Sequence, residues 1–252
     1  MNKKYLINFL SFAINIKCFL IFFFILFSIK IYLYNNKLIN TPKISIYLPI
    51  YNKSSYLMKS IGSIQNQSLK EIEIIAINDY STDNSLEILK KLSENDSRIK
   101  IFNNDKNKGL LYSRAMGILN STGKYIMNFD PDDLFQGEDN LEYLYNITKI
   151  LKVDVITFAF LQNNKTKLKC LNYNKILKQP QLFQSTFDDL KCIFDDVLWN
   201  KLVKRKLMLK VYDFFKNKIY SEKWNYGEDT IWSILINKYA KSKFCINIYY
   251  CK

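Results

Sequence analysis

Between residues 43 and 129 the apolar positions follow two patterns in alternation. KISIYLP (43–49), EIEIIAI (71–77), RIKIF (98–102) and KYIMNF (124–129) are short, β-rich apolar runs and predict strands. Between them the apolar residues recur at helical spacing. Tyr56, Leu57, Ile61 and Ile64 mark one helix over 56–66; Leu86, Ile88, Leu89 and Leu92 mark a second, capped by Ser81 or Thr82; Leu111, Ala115 and Ile118 mark a third, opened by Gly109. Strands alternating with helices of this length imply right-handed βαβ units, hence an α/β fold with a mostly parallel, Rossmann-like sheet and helices on both faces. Such sheets bind ligands beyond the C-terminal ends of their strands. The chemistry is therefore sought in the residues that follow each strand.

Ahead of this region the pattern is different. Residues 18–29, CFLIFFFILFSI, form an unbroken apolar run, and with the Lys30 stem lying along the apolar surface it continues to Tyr34. The stretch of about 15–34 reaches the roughly 20 residues that a membrane-spanning helix needs. No small-x-small cleavage site follows it, and no polar face suits it to a soluble core. It predicts one transmembrane helix of signal-anchor type within residues 1–40, preceding the α/β region. The expected localisation is a membrane, single-pass, and an endomembrane (ER or Golgi) if the source is eukaryotic. Lysines flank the run on both sides, so charge leaves the topology undetermined.

Composition narrows the chemistry. With 48% hydrophobic and 15% aromatic residues, the 252-residue chain has the makeup of a core-forming globular protein. Histidine is absent, which excludes Ser-His-Asp and Cys-His nucleophiles and every histidine zinc site. Acid–base or metal chemistry must run on carboxylates. The net charge of +14 would suggest nucleic acid, but no acidic residue precedes Glu71, so much of the excess sits in the N-terminal lysines. The remainder is mildly basic and carries no basic helix or finger motif, so no nucleic-acid partner is expected. Five cysteines without C-x-x-C spacing indicate neither a zinc ribbon nor a disulfide framework.

Carboxylates and an aromatic gather after the predicted strands. Pro49, Ile50, Tyr51 and Asn52 follow the first, Asn78 to Ser85 the second, and Asp130, Pro131, Asp132 and Asp133 the fourth. Singly, each loop reads as turn and capping chemistry. Together they place several acids on one edge of a parallel sheet. Asp130 and Asp132 form a D-x-D pair of hard oxygen donors suited to Mg2+ or Mn2+, while Asp133 is either part of that set or a helix N-cap. Tyr51 offers a ring face on which a base can lie. Glu228 and Asp229 open a predicted helix, TIWSILINKYA, where they are either N-terminal capping acids or functional groups.

With these residues in place, the sequence resembles the family 2 glycosyltransferases of the GT-A fold. The resemblance is carried by ISIYLPIYN (44–52), EIIAINDYSTDNSLEIL (73–89), RIKIFNNDKNKGLLYSRAMGI (98–118) and GKYIMNFDPDDLF (123–135), then by WNKLVKR (199–205) and YGEDTIW (226–232). It implies a nucleotide-sugar-binding half (41–135) and an acceptor-side half (136–252) of one domain. It implies inverting, non-processive transfer of a hexosyl or N-acetylhexosaminyl unit from a nucleoside-diphosphate-sugar, with UDP-sugar favoured by the resemblance alone, to a hydroxyl of a glycan, lipid or protein acceptor.

By the same resemblance Asp132 and Asp130 hold the metal, Mn2+ or Mg2+, with Asp130 also at the ribose edge. Asp79 bonds the nucleotide base beside Tyr51, Arg114 lies at the donor, Asp229 is the general base with Glu228 beside it, and Trp199, Asn200 and Lys201 form an acceptor-side motif. Lys106 and Lys108 either assist the diphosphate or are solvated loop charges. Asn78 stands where the family usually has a first Asp, and Tyr80 where a small residue is common. These departures motivate an alternative: an anchored sugar-nucleotide-binding or scaffold protein without turnover.

Overall fold

The computed structural model describes residues 22–32, 41–162, 165–168, 174–179, 198, 200–219 and 228–251. The chain divides into two units, Met1–Thr41 and Pro42–Lys252. In the first, residues 22–32 form a helix (α1) whose side chains are all exposed, including Phe22, Phe23, Phe24, Leu26 and Phe27. It is about 16 Å long at 1.5 Å per residue, and among the described residues no helix is long and apolar enough to cross a membrane. The rest of the apolar stretch 15–34 lies outside the described residues.

In the second unit the alternation of periods becomes an alternation of elements. Strand β1 (Ile44–Ile50) is followed by α2 (Ser54–Gln65), β2 (Ile72–Asn78), α3 (Ser85–Asn95), β3 (Ile99–Asn103), α4 (Leu110–Asn120) and β4 (Tyr125–Asn128). Then come α5 (Asn140–Leu151), β5 (Val155–Gln162), β6 (Lys165–Leu168), β7 (Ile176–Lys178), β8 (Lys201–Lys204), α6 (Arg205–Ile219), α7 (Glu228–Tyr239) and β9 (Ser242–Cys251).

The nine described strands form one sheet in the order β3-β2-β1-β4-β8-β5-β9-β7, with β6 paired to β5. β1, β2, β3 and β4 are mutually parallel. β8 runs antiparallel to both β4 and β5, and β6 and β7 are antiparallel to their partners, while β5 and β9 pair in parallel, so the first half is all parallel and the second half mixed. Every residue of β1 and β2 is buried, as expected of parallel strands covered on both faces.

Successive side chains go to opposite faces. Ile44, Ile46, Leu48 and Ile50 pack with Ile74 and Ala76 against Leu57, Ile61 and Ile64 of α2, Leu89 of α3, and Leu141 and Leu144 of α5. On the other face Tyr47, Ile75 and Ile77 meet Leu111, Ala115 and Ile118 of α4, Val211 of α6, and Trp232 and Ile236 of α7. α4 lies so close to the sheet that a Cβ on Gly117 would come within 2.5–2.8 Å of Tyr47.

Two sequence expectations are corrected. The second helix starts at Ser85 with Asn84 as its cap residue, not at Ser81 or Thr82. Asp133 caps no helix: its N–H donates to the Asp130 carbonyl at 2.9 Å in a turn, and α5 begins later, at Asn140.

Candidate functional site

β2 lies on one side of β1 and β4 on the other, so the winding reverses between β1 and β4 and opens a crevice at their C-terminal ends. The cleft there measures about 510 Å3, within the range of small-molecule sites. Tyr51 and Lys53 after β1, Asp79 after β2, Gly109, Ser113 and Arg114 around the start of α4, and Asp130 and Asp132 after β4 line it.

The loop after β1 is tied to the loop after β2. Asn52 takes a left-handed φ of 52°. Its N–H donates to Ser81 Oγ at 3.1 Å, and its side-chain oxygen accepts from Thr82 N at 2.8 Å. Lys53 N donates to Ser85 Oγ at 3.0 Å. Asp83 accepts from Ser54 N at 2.9 Å and Ser85 N at 3.0 Å, serving the first turns of α2 and α3 together. Burial alone would raise its pKa, but the hydrogen bonds from Ser85 and Ser54 prevail and hold it at about 2. Tyr51, next to this tied loop, lines the cleft and is 47% exposed.

Asp79 is buried, and both of its oxygens are engaged by the loop ahead of α4. Oδ1 accepts from Asn104 Nδ2 at 2.7 Å and Lys108 N at 2.8 Å, and Oδ2 from Gly109 N at 2.8 Å. Gly109, at φ +88°, is the N-cap of α4, so the carboxylate meets amides left over at a helix start. A carboxylate has about four acceptor sites, which leaves room for one further donor from the cleft. Asn78, where an Asp was expected, uses its amide in both senses: Nδ2 donates to Asn103 at 3.2 Å and Oδ1 accepts from Ser81 N at 3.3 Å. A carboxylate could not make the first bond. Tyr80 adopts a left-handed φ of 60°, which explains why a small residue suits that turn.

Arg114, with its side chain 3% exposed, is the hub of the site. Nη1 pairs with the carboxylate of Asp229 at the start of α7, and Nη2 lies 3.8 Å from Asp130 Oδ1. Asp130 Oδ1 also accepts from Asn128 Nδ2 at 3.0 Å. Beneath them Tyr47 is wholly buried; burial pushes the pKa of its hydroxyl up, opposed by Arg114 and reinforced by Asp229 and Asp130. Asp132 Oδ2 accepts from Lys53 Nζ at 2.9 Å.

The carboxylates of Asp130 and Asp132 thus share one cleft, and Asp132 already carries a cation, the Lys53 ammonium. This donor set fits a hard divalent ion. Among the described residues no three acidic, cysteine or histidine side chains converge on a point, so such an ion would draw further ligands from phosphate and water.

The structure therefore brings together Tyr51, Asp79, Arg114, Asp130 and Asp132, and reaches Asp229 through Arg114. Glu228 is the first residue of α7. Asn200 and Lys201 do not line the cleft: both are buried, and Lys201 Nζ donates to Asn200 Oδ1 at 3.0 Å. Trp199 lies outside the described residues. Lys106 and Lys108 do not line the cleft, and Lys108 pairs with Asp105 at 2.6 Å in its own loop. Lys53 and Tyr47 went unread in the sequence. Lys53 sits one residue beyond the strand-end segment that ends at Asn52, and Tyr47 is masked as one more apolar strand residue.

Comparison with known proteins places the chain among others. The model of the family described as glycosyl transferase family 2 matches residues 45–210. The glycosyltransferase GlyA of Streptococcus pneumoniae serotype 4 is 30% identical over 221 residues, covering 80% of this chain and 32% of that protein. The chain thus spans about a third of that relative's length. Among solved structures, S. aureus TarS 1–349 superposes with a TM-score of 0.67 at 21% identity, covering 83% of this chain and 60% of that one. TarS 1–349 has also been solved in complex with UDP-GlcNAc. The mannosyltransferase PcManGT from Pyrobaculum calidifontis, solved with GDP-Man and Mn2+, superposes with a TM-score of 0.55 at 12% identity, covering 84% of this chain and 57% of the other. At these identities the two structural likenesses are likenesses of fold.

Proposed function

The chain belongs to glycosyl transferase family 2, and from that premise we propose that it is a membrane-anchored, metal-assisted transferase moving one sugar from a nucleoside diphosphate to an acceptor hydroxyl with inversion. The observation that carries this reading is the single buried guanidinium of Arg114, which pairs with Asp229 and faces Asp130. The proposed base and the proposed donor-holding acid are thereby set in one frame.

In this reading the nucleotide base lies against Tyr51 and meets Asp79, while Asp130 and Asp132 are the residues that would hold the cation. When bound, Mn2+ or Mg2+ supplies Lewis-acid stabilisation of the departing diphosphate. Asp229 accepts the proton of the acceptor hydroxyl as its oxygen bonds to the anomeric carbon and the bond to the phosphate oxygen breaks on the opposite side. Arg114 keeps that carboxylate in position. Both uridine and guanosine donors occur on this fold, in TarS and PcManGT, and the uridine class is the one favoured here. The presence of Mn2+ with PcManGT supports the choice of metal.

The exposed apolar helix α1, with the longer apolar sequence around it, supports anchoring of the domain to a membrane as a single pass, with a glycan, lipid or protein acceptor.

The test is donor turnover by the full chain across UDP- and GDP-sugars, with and without Mn2+, alongside Asp229→Asn. Metal-stimulated release of nucleoside diphosphate that disappears in the variant supports the proposal. Equal inactivity of both proteins across the panel would replace it with the anchored binding protein. Carbonate extraction of membranes, from which an anchored chain does not dissolve, checks the anchor.

A further inference from the structure

We infer that Lys53 is a built-in counter-ion of the donor site, occupying Asp132 while the cleft holds no metal and moving to the donor diphosphate when a divalent cation displaces it. The inference rests on the donor-site reading above and concerns a residue that the D-x-D pattern does not include.

The first support is position. Lys53 Nζ reaches from the loop after β1 to Asp132 Oδ2, 2.9 Å away in the loop after β4, so the contact spans the mouth of the crevice. The second is the rigidity of its base. Lys53 N is bonded to Ser85 Oγ, and its neighbours Asn52 and Ser54 are bonded to Ser81 and Asp83. The backbone is pinned, so any movement of the charge is rotation of a flexible four-carbon stem within the cleft. The third is energetic. With the two side chains 33% and 37% exposed, the pair is screened by water and weak, readily exchanged for a divalent ion. Tyr56, whose ring centroid lies 5.6 Å from Nζ, supports the ammonium by a cation–π contact without fixing its direction.

Two negative charges arrive with the donor and one cationic side chain is released beside them. A compact ammonium suits a diphosphate oxygen as a point contact.

Lys53→Met and Lys53→Gln in the full chain test this by binding, apart from turnover. Free Mn2+ is followed by electron paramagnetic resonance without nucleotide, and UDP and GDP binding by calorimetry at saturating Mn2+. The two readouts should move in opposite directions. Mn2+ alone should bind about two- to fivefold tighter once its competitor is gone, and the nucleotide about three- to tenfold more weakly. Unchanged values, or changes in the same direction, would overturn the role of Lys53 while leaving the donor site standing. Wild-type protein that binds neither Mn2+ nor either nucleotide would overturn the site itself.

Discussion

Nη1 of Arg114, in the second turn of α4, pairs with the carboxylate of Asp229 in the first turn of α7. The two residues come from opposite halves of the sequence and meet over the face of the sheet that holds Tyr47. A guanidinium presents donors along two edges, which lets Arg114 serve Asp229 and Asp130 together; an ammonium is a single point. Arg114→Lys is therefore expected to lower kcat by about 10- to 100-fold through misplacement of a reacting group, with a smaller change in nucleotide affinity. Arg114→Met, which strands a charged partner, is expected to cost about 1.5–3 kcal/mol in addition. Steady-state kinetics and thermal denaturation of the two variants separate these effects.

Asp229→Asn removes the proposed proton acceptor and leaves the cleft lining untouched. Its transfer rate is expected to fall by about 10²- to 10⁴-fold, with Mn2+-dependent nucleotide binding retained in calorimetry. Asp132→Asn is expected to show the reverse order of damage, losing Mn2+-dependent binding first. If both variants lose nucleotide binding alike, the division of labour between the two acids is wrong.

Two glycines give opposite expectations. At Gly117 an added methyl meets Tyr47 at 2.5 Å and must displace the ring or the helix, which costs about 1–3 kcal/mol on conversion to Ala. At Gly62 nothing lies within 4 Å, so Gly62→Ala in α2 is expected to stabilise by about 0.5–1 kcal/mol. Chemical denaturation of the two variants checks both signs.

Acid should unfold the domain along a defined slope. The Arg98 side chain, with help from Gln65 and against burial, holds Asp96 at about 2 rather than the ordinary 3.8. A carboxylate depressed on folding adds stability that is fully present above its unfolded pKa and lost as pH falls through its folded value. The contribution of Asp96 is therefore complete above about pH 4 and gone near pH 2. Melting temperatures of wild type and Asp96→Asn should differ at pH 6 and converge toward pH 2. Parallel curves would contradict the assignment.

The first half of this domain was readable because its signals are local. ISIYLPI and IEIIAIN are apolar without interruption since both faces of a parallel strand are covered, and the helices between them show one apolar stripe each. Strand ends shifted by a residue, and α3 started later than expected, at Ser85, where the Asp83 carboxylate accepts the first amides of both α2 and α3 through contacts that no single segment contains. The antiparallel placement of β8 was not legible, since KLVK is too short to show a direction and its partners lie far away in sequence. For the same reason Asp79, Asp130 and Asp132 could be named from their strand-end positions, whereas Arg114 was named by resemblance alone, without the partners that make it the hub. Arg114 looks like one polar residue on an amphipathic helix until Asp130 and Asp229 are seen beside it. Lys53 is one lysine among many until Asp132 faces it.

The ladder joining β4 to β8 has a mechanical consequence. Tyr125, Ile126 and Met127 pair with Lys204, Val203 and Leu202, so the strand that delivers the D-x-D acids is stitched directly to a strand from the later half of the chain. A clamshell needs a flexible waist between its valves, and here the waist is replaced by hydrogen-bonded sheet. The strand leading into Asp130 and Asp132 is thereby held in register with β8 before any molecule arrives, so its end moves only with the plate as a whole.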